Sequence, residues 1–207
     1  MISDEVICGF GRLGRAFGCE AVGFRPHGIS VAKALSSAYL PIAGVMLPET
    51  MYQALLTESR KLGGFNHGFT YSGHPVAAAV AVKTLEIYAR DKIFATAAAR
   101  MPQFQQHLVR LGEHPLVGEA RGMGLMGGLE LVADKAGKRA FDPKVGVAAR
   151  CVRIAEEEGL IVRAVVGDTV TVCPPLIIKA EEIDELFARL SRALDRTLDW
   201  AKRERLL

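Results

Sequence analysis

Gly28-Ile29-Ser30-Val31-Ala32-Lys33-Ala34-Leu35-Ser36-Ser37-Ala38-Tyr39-Leu40-Pro41 is the stretch that organises the rest of the sequence. Lys33 is the only formally charged residue between Arg25 and Glu49, and its neighbours are small, apolar or hydroxylic. A lysine in such dry surroundings loses part of the solvation of its ammonium group, which favours the neutral, nucleophilic amine that a Schiff-base lysine needs. A surface lysine at the end of an apolar strand fits the same pattern, so other segments must decide.

Strand and helix patterns alternate through the first part of the chain, which indicates an α/β architecture. Short strands are predicted at residues 1–8, 29–32 and 42–47, with a glycine-rich connection over 9–28 and helices over 50–62, from Pro75 onward, and over 92–111. The helix from Pro75 is apolar or small on nearly every face, which predicts burial against a sheet. The second part reads as α+β: strands within 117–132, 160–163 and 169–173, and helices over 145–158 and 181–200.

Composition and charge argue against several classes of function. The 26 basic and 23 acidic residues nearly balance and are scattered, so nothing predicts a nucleic-acid partner. The four cysteines form no CxxC pair and have no matching histidine spacing, so we expect no metal site and a reducing, cytoplasmic location. The uncharged stretch 62–82 carries too many polar residues and glycines to span a membrane.

Two segments match the GxGxxG pattern of a dinucleotide-binding turn, Gly9–Gly14 and Gly122–Gly127. Neither has the strand–turn–helix context that the pattern requires. We therefore interpret both as structural glycines that permit positive φ or close backbone approach. An NAD-dependent oxidoreductase that uses Gly9–Gly14 is the weaker alternative function.

Asp4-Glu5-Val6-Ile7-Cys8-Gly9-Phe10-Gly11-Arg12 supports the catalytic interpretation of Lys33. On a strand, Asp4 and Val6 point to one face and Glu5 to the other, so one face offers a carboxylate beside an aliphatic surface. A flat, cationic heteroaromatic ring would fit there. Asp4 and Lys33 each lie at the carboxyl end of a predicted strand, where ligands bind in open α/β sheets.

These two segments, together with His67-Gly68-Phe69-Thr70-Tyr71-Ser72-Gly73-His74-Pro75 and Arg121-Gly122-Met123-Gly124-Leu125, resemble the class III pyridoxal-phosphate-dependent aminotransferases in order and spacing. The resemblance continues from Gly167-Asp168 through Pro174-Pro175-Leu176-Ile177 and covers nearly the whole chain. Within the family, the segment from Asp4 to Glu20 looks most like the ω-amine:pyruvate branch.

The resemblance implies a fold-type I transferase that works as a homodimer with active sites at the subunit interface. Residues 1–95 would be part of the large cofactor-binding domain, with a mostly parallel sheet, and residues 96–207 the small α+β carboxyl-terminal domain. The cofactor would be pyridoxal 5'-phosphate, and the substrates an amine or amino acid donor and a 2-oxo acid acceptor such as pyruvate.

Carried over position by position, the resemblance makes Lys33 the Schiff-base lysine and Asp4 the partner of the pyridine nitrogen, with Val6 packed against the ring. Thr70 would reach across the dimer to the partner's cofactor phosphate; a threonine that caps the helix near Pro75 is the alternative. Arg163 would bind a substrate carboxylate, although Ala164-Val165-Val166 puts three residues before the Gly-Asp turn where the family often has two. An ordinary arginine at a strand end explains Arg163 equally well.

The chain departs from the family in what it lacks. Family members carry upstream a Gly-Ser turn at a helix amino end, which binds the cofactor phosphate, and an aromatic residue that stacks on the ring. Because the sequence opens inside a predicted strand, we expect the natural polypeptide to begin upstream and the 207 residues alone to be weakly active or inactive. A truncated, non-catalytic remnant or a dimerisation module is the alternative.

Overall fold

The computed structural model describes residues 1–207 and divides into two compact units, Met1–Ala95 and Thr96–Leu207. Each unit has its own sheet, three-stranded in the first and four-stranded in the second. Strands and helices alternate along the first unit, which confirms the predicted α/β class. None of the helices combines the length and the apolarity that crossing a bilayer requires.

The sheet of the first unit contains one parallel and one antiparallel pair. Strand β1 (Ile2–Asp4) runs parallel to β2 (Gly28–Val31), and β2 pairs antiparallel with β3 (Gly44–Met46). The register places Asp4 opposite Ser30. All three predicted strands are confirmed, but β1 ends at Asp4 instead of continuing to residue 8.

The connection between β1 and β2 is more ordered than its glycine content predicts. It contains the short helix α1 (Gly18–Val22), and the rings of Phe10 and Phe17 meet edge to face, 5.8 Å apart. The backbone N–H of Phe10 donates to the carbonyl of Ala16, 2.6 Å away. Through these local contacts the connection packs against itself and forms a compact loop.

Two longer helices complete the first unit. Helix α2 (Glu49–Leu62) follows Pro48, and helix α3 (Pro75–Arg90) begins directly after its N-cap His74. The prediction that α3 is buried against a sheet is wrong for most of the helix. Only Ala77, Ala81 and Thr84 are buried, whereas the side chains of Val76 and Val82 are 55% and 58% exposed, because no other element of the unit covers those faces.

The second unit packs helices against an antiparallel sheet. The elements are α4 (Ile93–Leu111), β4 (Val117–Met123), β5 (Met126–Leu131), α5 (Val147–Glu157), β6 (Arg163–Val165), β7 (Thr169–Val172) and α6 (Ala180–Arg203). The sheet order is β4-β5-β7-β6, and α5 packs against α6 and against β6 and β7. Helix α6 buries Ile183, Phe187, Leu190 and Leu194, which recur every three to four residues and so form one apolar face.

The second GxGxxG segment is structural, as predicted. It forms the hairpin between β4 and β5, in which Gly124 takes φ +64°. A Cβ added at Gly122 would lie 2.6 Å from the carbonyl oxygen of Met126 and 2.6 Å from Cδ2 of Leu108. The first segment, Gly9–Gly14, lies in turns before the five-residue α1, so it also lacks the long helix of a dinucleotide-binding turn.

We predict that Gly122→Ala destabilises the second unit by about 1–3 kcal/mol, because the added methyl group collides with backbone that has no alternative position. Urea unfolding followed by the fluorescence of the single tryptophan, Trp200, measures the change. Gly128→Ala is the matched control, since its Cβ would lie 3.3 Å from Cγ2 of Thr169, and it should cost less. Equal unfolding free energies for the two variants would contradict the close-approach explanation.

Candidate active site

Asp4 and Lys33 leave the sheet at the same edge. Strand β1 ends at Asp4, and β2 ends at Val31, two residues before Lys33. Because β1 and β2 are parallel and adjacent, their carboxyl ends lie side by side. The structure therefore places a carboxylate and an amine, both exposed, at neighbouring strand ends.

The carboxylate of Asp4 is held by two donors from the same strand ends. Its Oδ1 accepts hydrogen bonds from the Ser30 hydroxyl at 3.2 Å and from the Val6 backbone N–H at 3.1 Å. Both bonds go to one oxygen, and neither donor is charged. The side chain is thus oriented by its neighbours while the carboxylate keeps its capacity to accept a further proton donor.

Lys33 opens a single 3-10 turn, Lys33–Leu35, in a left-handed backbone conformation with φ +42°. Ser37 and Ala38 also have positive φ, 50° and 61°. Such conformations cost about 1–3 kcal/mol each for residues with a side chain, and they cluster at functional sites. The backbone N–H groups of Ser36 and Ala38 both donate to the Lys33 carbonyl at 3.2 Å, which closes the turn.

Tyr88 on helix α3 holds this lysine turn in place. Its hydroxyl donates to the carbonyl of Ala34 at 2.8 Å and lies 3.1 Å from the Ser37 hydroxyl. The Ser36 hydroxyl donates to the Leu40 carbonyl at 2.6 Å and fixes the other side of the turn. No sequence pattern indicates this role of Tyr88, because its partner Ala34 lies more than fifty residues earlier in the chain.

The dry surroundings predicted for Lys33 are not formed by this chain. Lys33 is exposed, and Tyr39, a large residue of the same segment, is itself 81% exposed. The residues around Lys33 carry no formal charge, which is why dry surroundings were expected. Neutral neighbours desolvate a lysine only when they pack over it, and here the neighbours Ala32 and Ala34 are too small to do so.

Glu5 is a buried charged residue beside Asp4, and no sequence pattern predicts its role. Its side chain is 1% exposed and accepts from the Ser3 hydroxyl at 2.7 Å and from the backbone N–H groups of Gly18 and Cys19 at 2.6 and 2.8 Å. Desolvation by itself would raise the pKa of this carboxyl, but the hydrogen bonds, with that from Cys19 first, outweigh it and lower the pKa below its ordinary value. Glu5 thus ties the end of β1 to the start of α1.

Val6 lies beyond the end of β1, so the two-residue alternation of a strand does not extend to it. Strand geometry therefore does not put Asp4 and Val6 on one face, and that prediction is wrong. What the structure adds is the backbone hydrogen bond from Val6 to Asp4. Packing of the half-buried Val6 side chain against a ring stays a prediction.

Thr70 is exposed in the loop between α2 and α3, and it does not cap α3. The cap is His74, whose Nδ1 accepts from the backbone N–H of Val76 at 3.3 Å. The Ser72 hydroxyl accepts from Phe69 N–H at 2.9 Å and braces the loop. The capping explanation of Thr70 is therefore wrong, and its role in phosphate binding stays a prediction.

Arg163 belongs to the second unit, where it begins the edge strand β6 and is exposed. It lines a cavity of about 590 Å³ together with Phe141, Val165 and Val166. The three residues after it are followed by a turn in which Gly167 has φ +80°, and the Asp168 carboxylate accepts from Ala148 N–H at 2.9 Å. This turn was predicted correctly, whereas substrate binding by Arg163 stays a prediction.

Comparison with known proteins shows the family of this chain and several of its relatives. A family model described as aminotransferase class-III matches residues 1–194. Gamma aminobutyrate transaminase 3, chloroplastic, of Solanum lycopersicum is 45% identical over 196 residues, which are 95% of this chain and 38% of that protein. Putrescine–pyruvate aminotransferase of Pseudomonas aeruginosa is 45% identical over 197 residues, 95% of this chain and 42% of that protein.

Solved structures agree with the sequence comparisons. The crystal structure of a PLP-bound aminotransferase mutant from Vibrio fluvialis superposes with a TM-score of 0.91 at 37% identity, covering 96% of this chain and 44% of that one. The chain thus spans less than half the length of the proteins that it matches.

We predict that the Glu5 carboxylate makes the first unit less stable as the pH falls. Since folding lowers its pKa, its contribution is complete above its ordinary value of 4.5 and is lost as the pH drops through the lower pKa of the folded state. Glu5→Gln should cost about 1–3 kcal/mol near pH 7 and should flatten this acid dependence. Circular dichroism during urea unfolding at pH 3–7 measures both effects.

The exposed Glu20→Gln is the control on the same segment, because Glu20 accepts from the Phe17 backbone N–H, at 3.2 Å, and the side-chain oxygen of glutamine can keep that bond. Hydrogen exchange at the Gly18 and Cys19 amides provides a local readout, because these donors lose the carboxylate only in Glu5→Gln. Unchanged exchange at both amides would show that Glu5 does not hold α1.

Proposed function

The chain belongs to the class III aminotransferases, and on that premise we propose that Asp4 and Lys33 hold pyridoxal 5'-phosphate and carry out amino-group transfer. One observation carries the proposal: the two side chains follow adjacent parallel strands and leave the sheet at the same edge. This edge is the usual ligand position of an open α/β sheet.

The chemistry of the donor set fits this cofactor. An exposed lysine amine suits attachment to an aldehyde, and an exposed carboxylate without a charged partner suits a protonated pyridine nitrogen. The left-handed turn at Lys33, which Tyr88 stabilises, fixes the backbone from which the lysine side chain extends. A fixed lysine backbone favours catalysis because less freedom is lost when the amine engages its target.

When bound, pyridoxal phosphate supplies a ring that accepts electrons from the substrate carbon that loses a proton. In the proposed mechanism Asp4 keeps a proton on the pyridine nitrogen, because a carboxylate beside it favours the charged form. Lys33 Nζ would hold the cofactor, and its amine would be the group that moves a proton between carbon atoms of the substrate. Ser30 and Val6 would keep the carboxylate in place for this role, since both donate to its Oδ1.

Three further residues complete the proposal. Thr70 donates its hydroxyl to the cofactor phosphate of a partner subunit, for which its exposed position in a loop is suitable. Val6 packs against the ring. Arg163 binds a substrate carboxylate, a role that a bidentate guanidinium performs well, and the apolar cavity that it lines has room for the rest of a small substrate.

The proposed substrates are an amine or ω-amino acid as donor and a 2-oxo acid such as pyruvate as acceptor. The names of the relatives support this range, since one is a gamma aminobutyrate transaminase and another a putrescine–pyruvate aminotransferase. We also propose a homodimer. A cytoplasmic location rests on the four free cysteines alone, and relatives include proteins named chloroplastic and mitochondrial.

We predict that borohydride reduction in the presence of pyridoxal phosphate labels Lys33 more than any other lysine of the chain. Peptide mass spectrometry gives the labelled fraction at each site. Lys83 is the matched control, since it is an exposed lysine of the same unit, on α3, paired with Glu86. Lys33→Ala should remove most of the label and Lys83→Ala little of it; a label spread evenly over exposed lysines would argue against the proposed site.

Amino-group transfer is best tested in a chimera in which residues 1–207 replace the matching part of the Pseudomonas aeruginosa relative. We expect Asp4→Asn to lower transamination with pyruvate by about 10²–10⁴-fold, because an amide does not hold the pyridine proton. Asp91→Asn is the control, an exposed aspartate in the same unit. An active chimera in which Asp4→Asn transaminates at the original rate would remove Asp4 from the mechanism.

A further inference from the structure

A second pocket lies in the second unit, between helices α5 and α6, and shares no residue with the proposed active site. Its cavity volume is about 520 Å³. Two lining residues, Arg150 and Ile154, belong to α5, and the others to the last turns of α6: Arg196, Asp199, Trp200, Lys202 and Arg203.

Charge is the main property of this pocket. Four of its seven lining residues are basic and one, Asp199, is acidic. Arg196 already pairs with Glu157 and, at 2.8 Å, with Glu158. Arg150, Lys202 and Arg203 make no ion pair with any carboxylate of the chain. These three cationic side chains share the site with a single lining carboxylate, that of Asp199, so the pocket keeps an excess of positive charge, which attracts anions.

Arg150 is the least expected of these cations. It lies in the first turn of α5, where the helix dipole makes a positive charge unfavourable, whereas Lys202 and Arg203 in the last turn of α6 are favourably placed. Its guanidinium carbon lies 5.7 Å from the centre of the Trp200 ring, and its Nε is buried without a hydrogen-bond acceptor. A buried donor without an acceptor is costly, and no carboxylate of the chain offsets the charge of Arg150 in an ion pair.

The geometry suits an oxyanion in particular. The guanidinium group is planar and presents its N–H donors in one plane, where two of them can meet two oxygens of one phosphate. Lys202 and Arg203 add charge from the neighbouring helix end. The cavity is larger than one phosphate group needs, so it can accept a compound that carries two linked phosphates or a phosphate and an organic part.

We propose that the pocket formed by Arg150, Trp200, Lys202 and Arg203 is a binding site for a small phosphorylated anion. The pocket is confined to the ends of two helices, so it fits a small molecule better than a nucleic-acid strand, which needs a continuous basic groove. The site is independent of the proposed amino-group transfer, and its test requires neither cofactor nor catalysis.

Inorganic pyrophosphate is the probe, added to the full 207-residue chain while the fluorescence of Trp200 is recorded. Trp200 is the only tryptophan, so the signal reports this pocket without competition. We expect a saturable change, and sodium chloride at the same ionic strength should not reproduce it. Isothermal titration calorimetry measures the dissociation constant independently of the fluorescence of Trp200.

Arg150→Gln should weaken pyrophosphate binding about tenfold or more, because it removes the charge and the paired donors. The matched control is Arg153→Gln, an exposed arginine on the same helix outside the pocket, which should stay within about twofold of the original. Since Arg150→Gln also alters the Trp200 contact, the double variant Lys202→Gln, Arg203→Gln is measured by calorimetry as well and should bind more weakly.

The result that would overturn the proposal is the absence of saturable pyrophosphate binding, or equal dissociation constants for Arg150→Gln and Arg153→Gln. Circular dichroism spectra confirm that the variants are folded. If sodium chloride at matched ionic strength produces the same fluorescence response, the response reflects only general screening of the charges near the carboxyl end of α6. That result would also overturn the proposed site.

Discussion

The buried carboxylate of Glu5 is the interaction on which the first unit depends. It lies one residue after the end of β1, and its donors come from Ser3 on that strand and from the first two residues of α1. The loop between β1 and β2 must return to start β2 beside β1, and Glu5 fastens the loop where it turns back. A buried carboxylate is stable only when its oxygens are hydrogen-bonded, so this arrangement tolerates few alternatives.

Parallel pairing of β1 and β2 follows from that closure, and the candidate site follows from the pairing. Once Asp4 lies opposite Ser30, the Ser30 hydroxyl can donate to the Asp4 carboxylate, and Lys33 emerges on the same edge. The lysine turn then adopts left-handed conformations that its own residues disfavour. Tyr88 offsets part of that cost through its hydrogen bond to Ala34. Strain at Lys33 is therefore supported from a helix distant in sequence.

The sequence predicted the elements and the position of Asp4 and Lys33 well, because these depend on local patterns. Periodic apolar residues identified the strands and helices, and the Gly167-Asp168 turn carried its own signal. Burial was predicted less well. Lys33 has neutral neighbours but is exposed, and α3 has apolar residues on most faces but buries few of them, because burial depends on which elements pack together. Glu5 and Tyr88 were missed for the same reason, since their partners are distant along the chain.

Adjacent residues of like chemistry thus have different roles in this protein, and their surroundings decide which. Asp4 and Glu5 are consecutive carboxylates, yet Glu5 is enclosed by amide donors and fixes the fold, while Asp4 is exposed and available to a cation. The arginines of the second unit divide in the same way: Arg196 is neutralised by two glutamates, and Arg150 lies over the Trp200 ring and makes no ion pair. In both pairs the group available for binding is the one that has no ion-pair or buried hydrogen-bond network of its own. A charge that is already neutralised gains little from a ligand.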